Sequence, residues 1–107
     1  MFIVCLITVP KLSLGRKIAD ALVRSKSAAC VNLLTGIESL FFWKGHVEKT
    51  RECLLIAKST KKKFSRLKKT VERLHPYSVP EIIALPVECG NPSYLRWVSA
   101  SVNGNVR

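Results

Sequence analysis

Ile37-Glu38-Ser39-Leu40-Phe41-Phe42-Trp43-Lys44-Gly45-His46-Val47 decides the fold. An apolar, aromatic run ends at a three-residue polar turn, Lys44-Gly45-His46, and a second extended run leaves it. Glycine in such a turn supplies the positive φ that reverses the chain between antiparallel strands. Upstream, Ala28-Ala29-Cys30-Val31-Asn32-Leu33-Leu34 opens the first of these strands. Gly36 interrupts the pattern, and a glycine inside a strand predicts a bulge or sharp bend. Downstream, the second strand starts polar and becomes apolar at Cys53-Leu54-Leu55-Ile56-Ala57. The spans 28–43 and 47–59 both exceed the usual strand length of about 5–6 residues.

Around this hairpin the remaining elements fall into order. Phe2 to Val9 is aliphatic and β-branched throughout, which reads as a fully buried central strand ended by Pro10. Leu14, Ile18, Ala21 and Leu22 share one face of a helix over about 13–26, with Ser13 as its N-cap. Phe64, Leu67, Val71 and Leu74 make the apolar stripe of a second helix over 61–74. Ile82 to Val87 is a fourth strand, Gly90-Asn91-Pro92 a turn, and 92–101 a last helix. Residues 102–107 read as a frayed tail. Strand, helix, strand, strand, helix, strand is the α+β ferredoxin-like βαββαβ sandwich, here with an extra C-terminal helix, in one domain over 1–107. A hairpin longer than the sheet leaves edges open to another chain, so subunits are expected to associate by β-pairing.

The chain is 48% apolar, high for its 107 residues, which also points to a buried subunit interface. No apolar run approaches the roughly 20 residues that span a bilayer, and the N-terminus lacks the basic region and cleavage site of a signal peptide. A cytoplasmic protein is expected. Cys5, Cys30, Cys53 and Cys89 have no C-x-x-C spacing, and three lie in apolar runs, so free thiols in a reducing compartment are expected. The net charge is +11, concentrated on 61–73, where seven Lys and Arg face one acid, Glu72. Nucleic acid ranks low as a partner of that helix, because no exposed aromatics interleave with its charge. No activated nucleophile, paired carboxylates or phosphate loop points to an enzyme.

His75-Pro76-Tyr77-Ser78-Val79-Pro80-Glu81 joins the basic helix to the fourth strand. Its prolines stiffen the connector and aim an imidazole, a phenol and a carboxylate in few directions. His75 is the leading metal-ligand candidate, with Glu81 able to share the ion and Cys30 as a remote third. The alternative for His75 is a ring that hydrogen-bonds backbone and rigidifies the connector. Trp43, Tyr77, Tyr94 and Trp97 suit a small-molecule cleft or a subunit seam, or simple packing.

These pieces resemble the CutA divalent-cation tolerance family over nearly the whole chain. The resemblance is carried by Thr8-Val9-Pro10, Ala28 to Asn32, Ser39 with Trp43-Lys44-Gly45, and Lys58. His75-Pro76-Tyr77, Val79-Pro80-Glu81, Tyr94-Leu95 and Trp97 complete it. It implies a ferredoxin-like homotrimer on a scaffold similar to PII signalling proteins, and tolerance to copper or another divalent cation. It also implies an inter-subunit cleft that gathers Trp43, Lys58, Tyr77, Glu81, Tyr94 and Trp97, where a small anionic ligand is the alternative occupant. Copper-binding bacterial relatives often carry a cysteine where this chain has Ile7, and some relatives carry a second histidine where it has Leu74. Metal binding is therefore expected to be weak. No required cofactor is expected.

Overall fold

The computed structural model describes residues 1–104. Its elements are β1 (Phe2–Val9), α1 (Leu12–Arg24), β2 (Cys30–Trp43) and β3 (His46–Thr60), then a 3-10 turn at Lys61–Lys63, α2 (Phe64–Leu74), β4 (Ile82–Pro86) and α3 (Pro92–Asn103). The four strands form one antiparallel sheet in the order β2-β3-β1-β4. That order puts β1 and β3 in the middle, as the split βαβ topology requires.

The two faces of the sheet are covered unequally. Alternation along β1 sends Ile3, Cys5, Ile7 and Val9 to one face, where Ile18 and Leu22 of α1 and Leu67 and Val71 of α2 close the main core. On the other face α3 covers only part of the sheet, burying Val98 and Val102 against Ala29 and Phe2. Beyond α3, Ile83 and Leu85 of β4 remain 49% and 48% exposed. β1 is therefore buried on one face and half-buried on the other, rather than buried on both as its apolar run suggested.

β3 pairs with β1 only through Cys53–Thr60, while its pairing with β2 continues to the hairpin tip. The free part of the hairpin is an arm that stretches the molecule to 48 Å along its long axis against 26 and 23 Å across. The expected bulge occurs as a register shift between Leu34 and Ile37, with Gly36 at φ 72°. The turn is shorter than expected. His46 already pairs with Trp43, and Lys44 and Gly45 both take positive φ, the two-residue loop that matches strand twist.

Helix ends shift by a few residues. α1 begins at Leu12, with Lys11 rather than Ser13 at the N-cap and no side-chain cap. α3 is capped by Asn91, whose side chain accepts from the Ser93 N–H at 3.2 Å. The tail expected to fray from residue 102 is anchored further on. α3 runs to Asn103, Val102 is 1% exposed, and Gly104 ends the helix in the left-handed region. The rest of that tail, 105–107, lies outside the described residues.

Candidate functional site

The connector after α2 is held by the ring of His75. Its Nε2 donates to the Thr8 carbonyl at the end of β1, 2.7 Å away, and its Nδ1 accepts the Tyr77 N–H at 3.2 Å. Only 8% of the residue is exposed. Both nitrogens are therefore occupied by backbone, and the ring clamps β1, the end of α2 and the connector together. As placed it keeps no lone pair for an ion. Tyr77 stacks against the ring at 4.7 Å between centroids and sends its hydroxyl to Glu52 Oε2 at 3.1 Å. Burial pushes the Tyr77 phenol pKa up, and the Glu52 carboxylate beside it pushes the same way.

Glu52 is the residue that sequence reading missed. It is only 8% exposed, on β3 next to the bulge. Glu48, Thr50 and Glu52 alternate along β3 and so share one face, a signal present in the sequence. That face floors an open groove of about 870 Å³ between the hairpin arm and the connector. Trp43, Tyr77 and Glu81 line it, as do Glu38, Glu48 and Glu52. Four of the chain's seven acidic residues thus line one groove. Glu38 is balanced by Lys49 at 3.5 Å.

The other expected cleft residues lie elsewhere. Lys58 donates to Asn32 Oδ1 and lines a smaller apolar cavity of about 210 Å³ with Tyr94, beneath α3. Tyr94 stacks on Trp97 at 5.7 Å, and burial raises its phenol pKa, with the neighbouring Cys30 thiol adding to the rise. Within one chain the six cleft residues therefore divide into Trp43, Tyr77 and Glu81 on one side and Lys58, Tyr94 and Trp97 on the other. The three metal candidates divide as well, with Cys30 beside Tyr94 and Glu81 in the groove. Among the described residues no three His, Cys, Asp or Glu side chains converge as a metal site. All four cysteines are free, and no described helix is long and apolar enough to cross a membrane.

Comparison with known proteins gives a consistent pattern. The family model for the CutA1 divalent ion tolerance protein matches residues 3–101. The divalent-cation tolerance protein CutA of Thermus thermophilus is 50% identical over 95 residues, which is 89% of this chain and 92% of that protein. A solved structure of the Thermus protein superposes with a TM-score of 0.90 over 92% of this chain and 95% of that one. The structure of the periplasmic divalent cation tolerance protein CutA from Archaeoglobus fulgidus gives a TM-score of 0.93 at 36% identity, covering 95% and 99% of the two chains. The chloroplastic CutA 1 of Oryza sativa is 42% identical over 92% of this chain, which spans 56% of that longer protein.

Proposed function

Because the chain belongs to the CutA1 divalent ion tolerance protein family, described as tolerance proteins and not as enzymes, we propose that it works as a homotrimer that binds divalent cations weakly. One observation carries the metal reading. In a chain of net charge +11, four of seven acidic residues line a single groove. Carboxylate oxygens with hydroxyls nearby suit hard and borderline divalent cations, copper(II) among them. Glu81 and Glu48, both exposed, are the ligands proposed to reach an ion, while Glu52 is held by Tyr77. In this reading His75 supports the groove by positioning Tyr77 rather than by ligating. Few fixed ligands converge, so affinity is low.

The trimer reading rests on apolar surface that a single chain leaves open, on the arm at Leu40, Phe41, Phe42 and Val47 and on β4 at Ile83 and Leu85. β-Pairing between subunits would cover it and bring Lys58, Tyr94 and Trp97 of one chain toward the groove of the next. Lys58 at such a seam favours a small anionic ligand as the second reading, on the pattern of PII proteins. Free cysteines favour a cytoplasmic setting, although relatives are described as periplasmic and chloroplastic.

Calorimetric titration with copper(II), and separately with ATP, tests the site. The double variant Glu48→Gln, Glu81→Gln should weaken copper binding by about tenfold, or roughly 1.4 kcal/mol, while His75→Asn changes it little. Loss of copper binding in a His75→Asn variant that stays folded by circular dichroism, with imidazole-nitrogen coupling in the copper(II) EPR spectrum of the parent, would restore the imidazole as ligand and sink the groove reading. ATP binding abolished by Lys58→Ala, with no copper heat in the parent protein, would favour the anion sensor.

A further inference from the structure

We propose that the layer formed by α1 and α2 docks on the phosphate backbone of double-stranded nucleic acid. The segments 11–26 and 61–74 carry twelve of the eighteen Lys and Arg and two of the seven acids, a net +10 out of +11. They build one layer, because α1 and α2 pack side by side on the same face of the sheet. Only two of those cations meet an acid among the described residues, Arg24 with Asp20 at 2.8 Å and Lys68 with Glu72 at 3.3 Å. The charge is also ordered. Lys62, Arg66, Lys69 and Arg73 follow one another at helical spacing, opposite the buried Leu67 and Val71. That row extends over about 16 Å at 1.5 Å per residue.

Three kinds of polyanion could meet such a layer, and its chemistry chooses among them. A membrane-surface helix inserts apolar side chains below the headgroups. Here the apolar stripe of α2 is spent on the core, with Leu67 and Val71 buried and Phe64 and Leu74 packed against them. A single strand is gripped by stacking its bases on exposed aromatics, and no exposed aromatic residue lies on α1 or α2. A duplex needs neither. It presents a regular row of phosphates, and cations bind it by releasing counterions. The lack of interleaved aromatics argues against single strands and leaves duplex binding open, and the contribution of α1 becomes visible only in the fold.

Fluorescence anisotropy of a labelled duplex of about 20 base pairs, titrated with the whole protein between about 50 and 200 mM NaCl, tests this. Binding should weaken with salt at a log–log slope of about −4, equivalent to four or five phosphates. The variant Lys62→Gln, Arg66→Gln, Lys69→Gln, Arg73→Gln should lose at least about tenfold in affinity and flatten the slope. A control that removes the same charge elsewhere, Lys44→Gln, Lys49→Gln, Arg51→Gln, Arg96→Gln, should stay within about twofold of the parent. Circular dichroism confirms that both variants are folded. Equal losses in the two variants would show a bulk charge effect and overturn the layer as the site. So would undetectable duplex binding at the lowest salt. Tighter binding to phosphatidylcholine–phosphatidylserine vesicles, or to a single strand of equal length, would overturn the choice of a duplex.

Discussion

His75 shows how much a single ring can decide. Its two hydrogen bonds satisfy the Thr8 carbonyl and the Tyr77 N–H, which belong to segments nearly seventy residues apart in the chain. His75→Ala should leave the carbonyl unpaired and a small cavity, lowering stability by about 2–4 kcal/mol in thermal or denaturant unfolding. Tyr77→Phe removes the donor that holds the buried Glu52 carboxylate. It should lower stability by about 1–3 kcal/mol and loosen the groove. At Cys5, fully buried on β1, burial pushes the thiol pKa from 9.0 up to about 11. The folded state disfavours the thiolate, so this contribution to stability is intact below pH 9 and is lost as pH rises from 9 to about 11. The melting temperature should fall across that window, and fall less in Cys5→Ala measured against its own value at neutral pH.

Among the elements, the hairpin depends on backbone freedom and α2 on side-chain burial. Gly36 sits at φ 72° with open space around its Cα, so only conformation, not crowding, resists a side chain there. Gly36→Ala should destabilise by roughly 1–2 kcal/mol through the left-handed backbone alone, and Gly36→Asn by less, because asparagine tolerates that region. Leu67 is fully buried between α2 and the sheet. Leu67→Ala should lower stability by about 2–5 kcal/mol. Denaturant unfolding checks both, and an unchanged midpoint for Leu67→Ala would mean that α2 is not docked as described.

At the scale of the whole molecule, charge and apolar surface separate. The helical layer holds nearly all the net charge, while the arm and the open part of the sheet hold exposed Phe41, Phe42, Trp43, Ile83 and Leu85. Light scattering at micromolar concentration should report three chains. The double variant Ile83→Lys, Leu85→Lys should shift that mass downward by placing charge on a surface expected to be covered. A parent protein that is monomeric and folded would end the trimer reading.

Element order was legible in the sequence because each strand and helix carries its own periodicity and its own stops at proline or glycine. The bulge at Gly36 and the reversal at Lys44-Gly45 were legible for the same local reason. The groove was not. Glu52 lies in the sequence among polar and apolar neighbours of β3, and nothing local says that the hydroxyl of Tyr77 will meet it. The clamp by His75 was one of two readings, and only the approach of Thr8 to the ring favours it. The basic layer likewise looked like one charged helix until packing set α1 beside it. Periodicity and turns depend on neighbours along the chain, so the order of the residues determines them. Hydrogen bonds and fields between distant segments depend on which faces the sheet brings together, and that only the tertiary structure decides.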